Sequence, residues 1–358
     1  MKALVLCAGK GTRLQPITYS LPKHVIPIAN QPIVFHIIKK LVNLGITEIG
    51  LIVGYKQEII REVVGNGSKL GAKVEYIVQD EPKGLAHAVK IGQSFVGSEP
   101  FMVFLGDNIF EDDLSNLVKR YEKEKPDSII ILKEVDEPQR FGIAIMEEDR
   151  LVKVVEKPKD PPSNLAIAGV YIFDERVFFA IDNLKPSWRG EYEITDAIQE
   201  LIDQNLVVKG EILNGKWLDT GKPEDILDAN QYLIQKLKGL YIHGFIDENS
   251  SLKNSVYIGK NSKIENCKII GPIIIGEKCF ISNSTLYPNT CIGNDSKIVD
   301  TEIENSIIMK NCSILNIKGK ISDSIIGENV KINFPDKIGT IEKKFKLILG
   351  NDAIITGE

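Results

Sequence analysis

The chain has 358 residues, with Lys+Arg 44 against Asp+Glu 49 and a formal net charge of -5. That length exceeds the size at which one hydrophobic core stops growing, so two domains are expected, and the mildly acidic balance excludes the basic footprint of a nucleic-acid binder. Five cysteines, an odd number without a C-x-x-C pair, argue against a disulfide framework and against a zinc site.

The first predicted element is a strand over Lys2 to Leu6, too short an apolar run for a signal-peptide core. No stretch approaches the roughly 18 apolar residues that span a bilayer, so the expectation is a cytoplasmic protein with neither membrane nor nucleic acid among its partners. Short apolar runs then alternate with amphipathic stretches to about residue 236, the pattern of an α/β sheet wound with helices. Further strands are predicted at Glu48 to Val53, Lys73 to Val78, Phe101 to Leu105, Ser128 to Lys133, Ile143 to Met146, Leu151 to Val155 and Ala168 to Phe173. Helices are predicted at Ile33 to Asn43, Gln57 to Val64, Leu85 to Ser94, Ile194 to Asp203 and Glu224 to Leu237.

After residue 240 the helical pattern stops. Ile258, Ile275, Ile292, Met309 and Ile326 recur at 17-residue intervals, with apolar residues such as Ile264, Ile269, Ile281, Leu286, Ile298, Ile303 and Ile314 between them. Three hexapeptide-like steps per turn, each with one inward apolar residue, describe a triangular parallel β-helix of four to five coils. An ordinary β-sandwich does not hold a fixed period over so many turns. The domains are accordingly drawn at 1–238 and 239–358.

The first strand runs into Ala8-Gly9-Lys10-Gly11-Thr12-Arg13-Leu14, a junction whose backbone N–H groups suit a triphosphate. A dinucleotide fingerprint would place a third glycine where Leu14 stands, and a Walker loop needs a different spacing, so neither fits. Alone, Arg13 and Lys23 read more readily as solvated surface cations, and Asp107, after a strand, equally well as a turn aspartate.

Eight motifs in order carry a resemblance. They are Leu6 to Leu14 with Leu21-Pro22-Lys23; Gln79 to Ala88; Leu105-Gly106-Asp107-Asn108; Phe141-Gly142; Val155-Glu156-Lys157-Pro158; Ala168 to Tyr171; Arg189 to Asp196; and Trp217 to Gly221. Together they resemble the signature of the sugar-1-phosphate nucleotidyltransferases, in the long form that carries a β-helix.

The resemblance implies a Rossmann-like nucleotidyltransferase domain with a mixed, mostly parallel sheet, followed by a C-terminal left-handed parallel β-helix. It implies nucleotide contacts from Leu6, Ala8, Gly9, Gly11, Thr12, Arg13, Gln79, Gly84 and Asp107. The sugar phosphate falls to Asn108, Gly142, Glu156, Lys157, Gly169 and Arg189. Asp107 and Asp219 become ligands of Mg²⁺, which favours carboxylates plus phosphate oxygens, and Arg13, Lys23 and Lys157 become the catalytic cations. Gln79 can donate and accept hydrogen bonds, as reading the imide edge of thymine or uracil requires, and Gly84 leaves room for the base.

The implied reaction joins glucose 1-phosphate to dTTP, or to UTP, with release of pyrophosphate. No general base is needed, because the attacking phosphate oxygen is already ionised. Two alternatives stand beside it: a silent regulatory or scaffold subunit, and an acetyltransferase in the β-helix. The first would be expected to lack one of Arg13, Lys23, Asp107, Lys157 and Asp219; the second wants a histidine base, and none falls among the predicted coils, with His243 at their entrance. The β-helix is therefore expected to serve homo-oligomer contacts or regulation, with the tail from Phe334 to Glu358 as its cap.

Overall fold

A computed structural model describes residues 1–334 and 344–357. Its contacts divide it into two compact units, Met1–Lys10 with Val34–Asp219, and Gly11–Ile33 with Thr220–Glu358. Helix gives way to short strands between Gln235 and Leu240, close to 238/239, whereas the contacts gather residues 11–33 and the last helix with the repeats.

In chain order the strands up to residue 219 are β1 (Lys2–Cys7), β2 (Pro27–Ile28), β3 (Gln31–Pro32), β4 (Glu48–Val53), β5 (Lys73–Val78), β6 (Phe101–Leu105), β7 (Asn108–Phe110), β8 (Ser128–Glu134), β9 (Gly142–Glu147), β10 (Arg150–Glu156), β11 (Leu165–Phe173), β12 (Val208–Ile212) and β13 (Trp217–Asp219). The helices are α1 (Ile33–Asn43), α2 (Gln57–Val64), α3 (Leu85–Ile91), α4 (Gln93–Val96), α5 (Ser115–Glu124), α6 (Arg176–Asp182), α7 (Ile194–Asp203) and α8 (Pro223–Gln235).

Within the first unit, nine strands form one sheet in the order β5-β4-β1-β6-β11-β8-β12-β10-β9. The β5-β4-β1-β6 half is parallel throughout. Beyond β6 only β8 and β12 run parallel, so the expected mostly parallel character holds for the β5-β4-β1-β6 half alone. For one of these pairs the cause is local: β9 and β10 are joined by a two-residue turn, and such a link can only produce an antiparallel pair. Strand β1 is buried along nearly its whole length, as parallel strands covered on both faces are. The core beside it stacks Phe101 on Phe178 at 5.4 Å and Tyr171 on Phe173 at 5.4 Å. The helix predicted over Leu85 to Ser94 breaks at Gly92, whose missing side chain lets it lie against Leu4.

The second unit contains a three-sided parallel β-helix, consistent with the left-handed form expected. Among the described residues its three sheets hold seven, seven and six strands, all parallel. This exceeds the four to five coils read from the repeat, because the first coil begins at Leu240 with largely exposed apolar residues and the last follows residues 335–343. Ile258, Ile275, Ile292, Ile308 and Ile326 stack in one column. The stacked residue is thus Ile308 rather than Met309, since one coil is a residue short and the next a residue long. Corners of the coils fall on Asn261, Asn283, Asn311 and Asn329, all at positive φ, which asparagine tolerates better than other side chains with a Cβ. Their amides also form ladders, as from Asn266 Nδ2 to Asn283 Oδ1 at 2.8 Å. His243 sits exposed at a corner of the first coil, so the entrance of the β-helix holds it as expected but one histidine does lie within the coils. Of the predicted tail cap, residues 335–343 and 358 lie outside the described residues, and Phe345 stacks on Ile321.

The same unit holds the β2–β3 ribbon, whose turn residues Ala29 and Asn30 both have positive φ, at 51° and 56°. Its tip is fixed on the β-helix side of the unit. Ala29 N–H donates to Asn230 Oδ1 at 2.9 Å, and Asn30 Nδ2 donates to the Ile292 carbonyl at 2.7 Å.

Candidate active site

In the first unit, β6 delivers Asp107 just beyond its carboxyl end, where open α/β sheets present ligand-binding groups. Strand β13 then pairs antiparallel with β7 and sets Asp219 opposite Asn108, next to Asp107. Asn108 is almost fully buried, and its Nδ2 donates to Asp107 Oδ1 at 2.9 Å. Its own Oδ1 accepts from Trp217 Nε1, so the indole fixes the Asn108 amide and through it the Asp107 carboxylate. The Trp217 ring lies 5.0 Å from that of Phe141. Among the described residues no three or more metal-ligating side chains gather. Asp107, in the turn just before β7, and Asp219, on the rung of Asn108, offer hard carboxylates of the kind Mg²⁺ takes one or two of before completing its sphere with water and substrate phosphate.

Gln79 follows β5 and is 6% exposed. Its Nε2 lies 3.2 Å from the Gly84 carbonyl and 2.9 Å from His87 Nδ1. Both amide protons are thereby used within the protein, so Gln79 offers a ligand an acceptor, where the sequence suggested both donor and acceptor. Gly84 has φ 105°, and a Cβ there would fall 2.7 Å from the backbone nitrogen of Tyr192. His87 is held neutral, its pKa lowered first by burial and next by Lys83, against the opposing pull of Glu81.

A third group lies across β9, β10 and α7. Glu156, at the end of β10, pairs with Gly142 and receives Thr195 Oγ1 at 3.1 Å on Oε2. On Oε1 it meets Lys157 Nζ at 3.3 Å and Arg189 Nη1 at 3.4 Å. Arg189 also reaches Glu193 at 3.3 Å, whose carboxyl takes Ser187 Oγ at 2.9 Å and is pushed up chiefly by burial. Lys157 itself has φ 39°, an unfavourable backbone state for a residue with a Cβ. A Cβ on Gly142 would fall 2.5 Å from Thr195 Cγ2 and 3.2 Å from Glu156 Oε2, so glycine leaves room for the Thr195–Glu156 contact. Gly169 occupies the irregularity in β11 at φ 74°. Leu6, Ala8 and Gly9 lie at and just beyond the end of β1, with Leu6 paired to Ile52 and Leu105.

In the second unit Gly11 takes φ 64° and caps the short helical turn Thr12–Leu14. Thr18 Oγ1 donates to the Gly11 carbonyl at 2.9 Å, and a Cβ on Gly11 would touch that of Lys23 at 3.3 Å. The Arg13 guanidinium lies over Gly221, where a Cβ would come within 2.9 Å of Nη2. Each unit therefore assembles its own share of the expected residues: Asp107, Asn108 and Asp219 in one group, Glu156, Lys157, Gly142 and Arg189 in another, and Gly11, Arg13 and Lys23 around the second unit's turn. Trp217 and Thr195 carried no supporting role in the motifs. A period-two reading places Trp217 on the same side of its strand as Asp219, and that was the available signal.

An open α/β sheet with Asp107 just past a strand end, Asp219 on the neighbouring two-stranded ribbon and a Glu156–Lys157–Arg189 cluster is the setting in which the class of the protein falls. The chain belongs to the nucleotidyl transferase family, whose model matches residues 2–236. It is similar to the low-salt glycan biosynthesis nucleotidyltransferase Agl11 of Haloferax volcanii, 39% identical over 99% of each chain. It is likewise similar to a glucose-1-phosphate thymidylyltransferase of Streptomyces antibioticus, 39% identical over 93% of each chain, and to the bifunctional protein GlmU of Methanocaldococcus jannaschii, 40% identical over 100% of this chain and 89% of the relative. Among solved structures, a Bacillus anthracis chain described as a glucose-1-phosphate thymidylyltransferase and bound to sucrose superimposes with a TM-score of 0.62 at 36% identity, covering 67% of this chain and 97% of that one. No helix among the described residues is long and apolar enough to cross a membrane.

Proposed function

We propose that this sugar-1-phosphate nucleotidyltransferase takes dTTP and glucose 1-phosphate and forms dTDP-glucose and pyrophosphate. The observation that carries the reaction type is the rung that sets Asp219 opposite Asn108 and beside Asp107. Mg²⁺ held there with phosphate oxygens would neutralise charge on the triphosphate. The remaining assignments are to this chain's own groups. Lys157 aligns the sugar phosphate for in-line attack on the α-phosphorus, and Glu156 accepts protons from sugar hydroxyls. Arg13 and Lys23 balance the negative charge of the leaving pyrophosphate. Asn108, Gly142, Gly169 and Arg189 complete the sugar-phosphate contacts; Leu6, Ala8, Gly9, Gly11 and Thr12 complete those to the nucleotide.

Base selection rests on Gln79, whose remaining acceptor fits a base with an N3–H. Thymine is preferred on the strength of the thymidylyltransferase relative at 39% identity. Uracil presents the same edge, so UTP is the second reading. The β-helix is proposed to serve homo-oligomer contacts. The deciding experiment is pyrophosphate release with Mg²⁺ from the purified chain, using dTTP, UTP and dCTP against glucose 1-phosphate, N-acetylglucosamine 1-phosphate and mannose 1-phosphate. Turnover led by dTTP with glucose 1-phosphate is expected. Preference for UTP would rename the enzyme, and no release with any pair would make a silent subunit the better reading.

A further inference from the structure

Gln79 and His87 are linked by a contact that fixes the identity of every atom in it. The Gly84 carbonyl can only accept, so the Gln79 atom 3.2 Å away is the amide nitrogen. His87 Nδ1 lies 2.9 Å from that same nitrogen. It must therefore accept, which places the imidazole proton on Nε2 and leaves the ring neutral. Two acceptors consume both amide protons.

We propose that His87 is a positioning residue for base selection: by accepting an amide proton of Gln79 it holds the glutamine so that only its carbonyl oxygen is offered to the nucleotide. The inference rests on the reading above that Gln79 meets the base. An N3–H, as in thymine or uracil, donates to that oxygen. Cytosine presents a bare N3 there and sets acceptor against acceptor. Turning the amide over would press Oε1 against the Gly84 carbonyl, acceptor against acceptor, so the Gly84 contact opposes the flip and His87 secures the orientation that remains by accepting the second amide proton.

The backbone keeps His87 at the right distance. Tyr192 N–H donates to the Lys83 carbonyl at 2.7 Å, and Ala86 N–H donates to the Tyr192 carbonyl at 3.0 Å. These bonds clamp the first turn of α3, and the close pass of Gly84 under Tyr192 leaves it no slack. The charged groups facing the ring are Lys83 and Glu81, paired to each other at 2.7 Å. Lys83 disfavours a second positive charge beside it, which preserves the accepting Nδ1.

The test is steady-state pyrophosphate release from the full chain with dTTP and with dCTP, at fixed glucose 1-phosphate, for wild type and the variants His87→Leu, His87→Gln and His87→Asn. Leucine offers no acceptor, and a glutamine amide reaches the Nε2 position rather than that of Nδ1. Either is expected to raise the KM for dTTP about five- to tenfold, the worth of one hydrogen bond, to leave kcat nearly unchanged, and to shrink the preference for dTTP over dCTP by a similar factor. Asparagine carries an oxygen close to the Nδ1 position and should restore most of both. Wild-type KM and preference in His87→Leu or in His87→Gln would overturn the inference, as would an asparagine variant no better than them. Having two loss variants keeps the test open if one fails to fold. A wild-type enzyme indifferent between dTTP and dCTP would instead overturn the reading of Gln79 itself.

Discussion

Asp219 stands opposite Asn108 on an antiparallel rung, one position from Asp107. Residues facing each other on such a rung have Cα atoms about 4.5–5.5 Å apart, so the pairing of β7 with β13 brings Asp219, from a distant part of the chain, up to the segment that carries Asp107. Asp107→Asn and Asp219→Asn are each expected to lower turnover by about 10²–10³ and to move the Mg²⁺ dependence to higher concentration. The double variant should lose little more than either single one, because groups that act as a unit are not additive. Independent losses that multiply would argue against a shared ion.

Trp217 tests the support behind that rung. Trp217→Phe keeps an aromatic ring near Phe141 but removes the N–H that fixes the Asn108 amide. The expected result is a correctly folded protein with kcat/KM reduced about five- to tenfold, in line with one lost hydrogen bond. A variant with unchanged kinetics would show that Asn108 holds Asp107 unaided.

Lys157 combines a catalytic assignment with an unfavourable backbone, at φ 39°. Its alanine and glycine variants separate the two. Both should lose about 10²–10³ in turnover with the ammonium, while Lys157→Gly should be the more stable by about 1 kcal/mol because only glycine occupies that region without penalty. Thermal unfolding of the pair checks this, and equal stability would mean the loop relaxes around alanine.

The paired aspartates also mark where the sequence stopped being legible. Strands with continuous apolar runs, such as Glu48–Val53 and Phe101–Leu105, could be read from composition and length, and the inward isoleucine columns from their period. Strands β7 and β13 are only three residues each, too short for any period to show, so the motifs named Asp107 and Asp219 without showing what brings them together. The shift from Met309 to Ile308 has the same origin, since both are apolar and buried and only the register of neighbouring coils distinguishes them. The Gln79–His87 contact was hidden for a different reason: it depends on a clamp at Tyr192, a hundred residues further along the chain.

Asn230 joins three parts of the second unit. Fully buried in α8, it accepts from Ala29 N–H at 2.9 Å and from the Cys291 thiol at 3.1 Å, and donates to the Asn289 carbonyl at 3.2 Å. Asn230→Ala strips partners from the part-buried Ala29 N–H and Asn289 carbonyl and from the buried Cys291 thiol and should cost about 1–3 kcal/mol in all. Chemical denaturation measures it. A change within a few tenths of a kcal/mol would mean that water takes over the role of the amide.

Asp196, in the first turn of α7, gives stability a distinct pH dependence. Its carboxyl is pushed above the ordinary range, first by burial and next by the charge of Glu156. A group whose folded pKa exceeds its unfolded one contributes stability that is complete below the unfolded value and lost as pH rises through the folded one. Above its raised pKa the aspartate is therefore ionised at a cost to the fold, and Asp196→Asn, neutral throughout, should raise the melting temperature there. The gain should shrink as pH falls through the raised pKa of Asp196 and vanish below the ordinary carboxylate range, where wild-type Asp196 is neutral as well. Melting curves of the two proteins across that window decide the matter. A gain that persists undiminished in acid would assign it to packing or to a new hydrogen bond, and a loss at neutral pH would show that the amide groups of the helix N-terminus outweigh burial and Glu156 in stabilising the charged form.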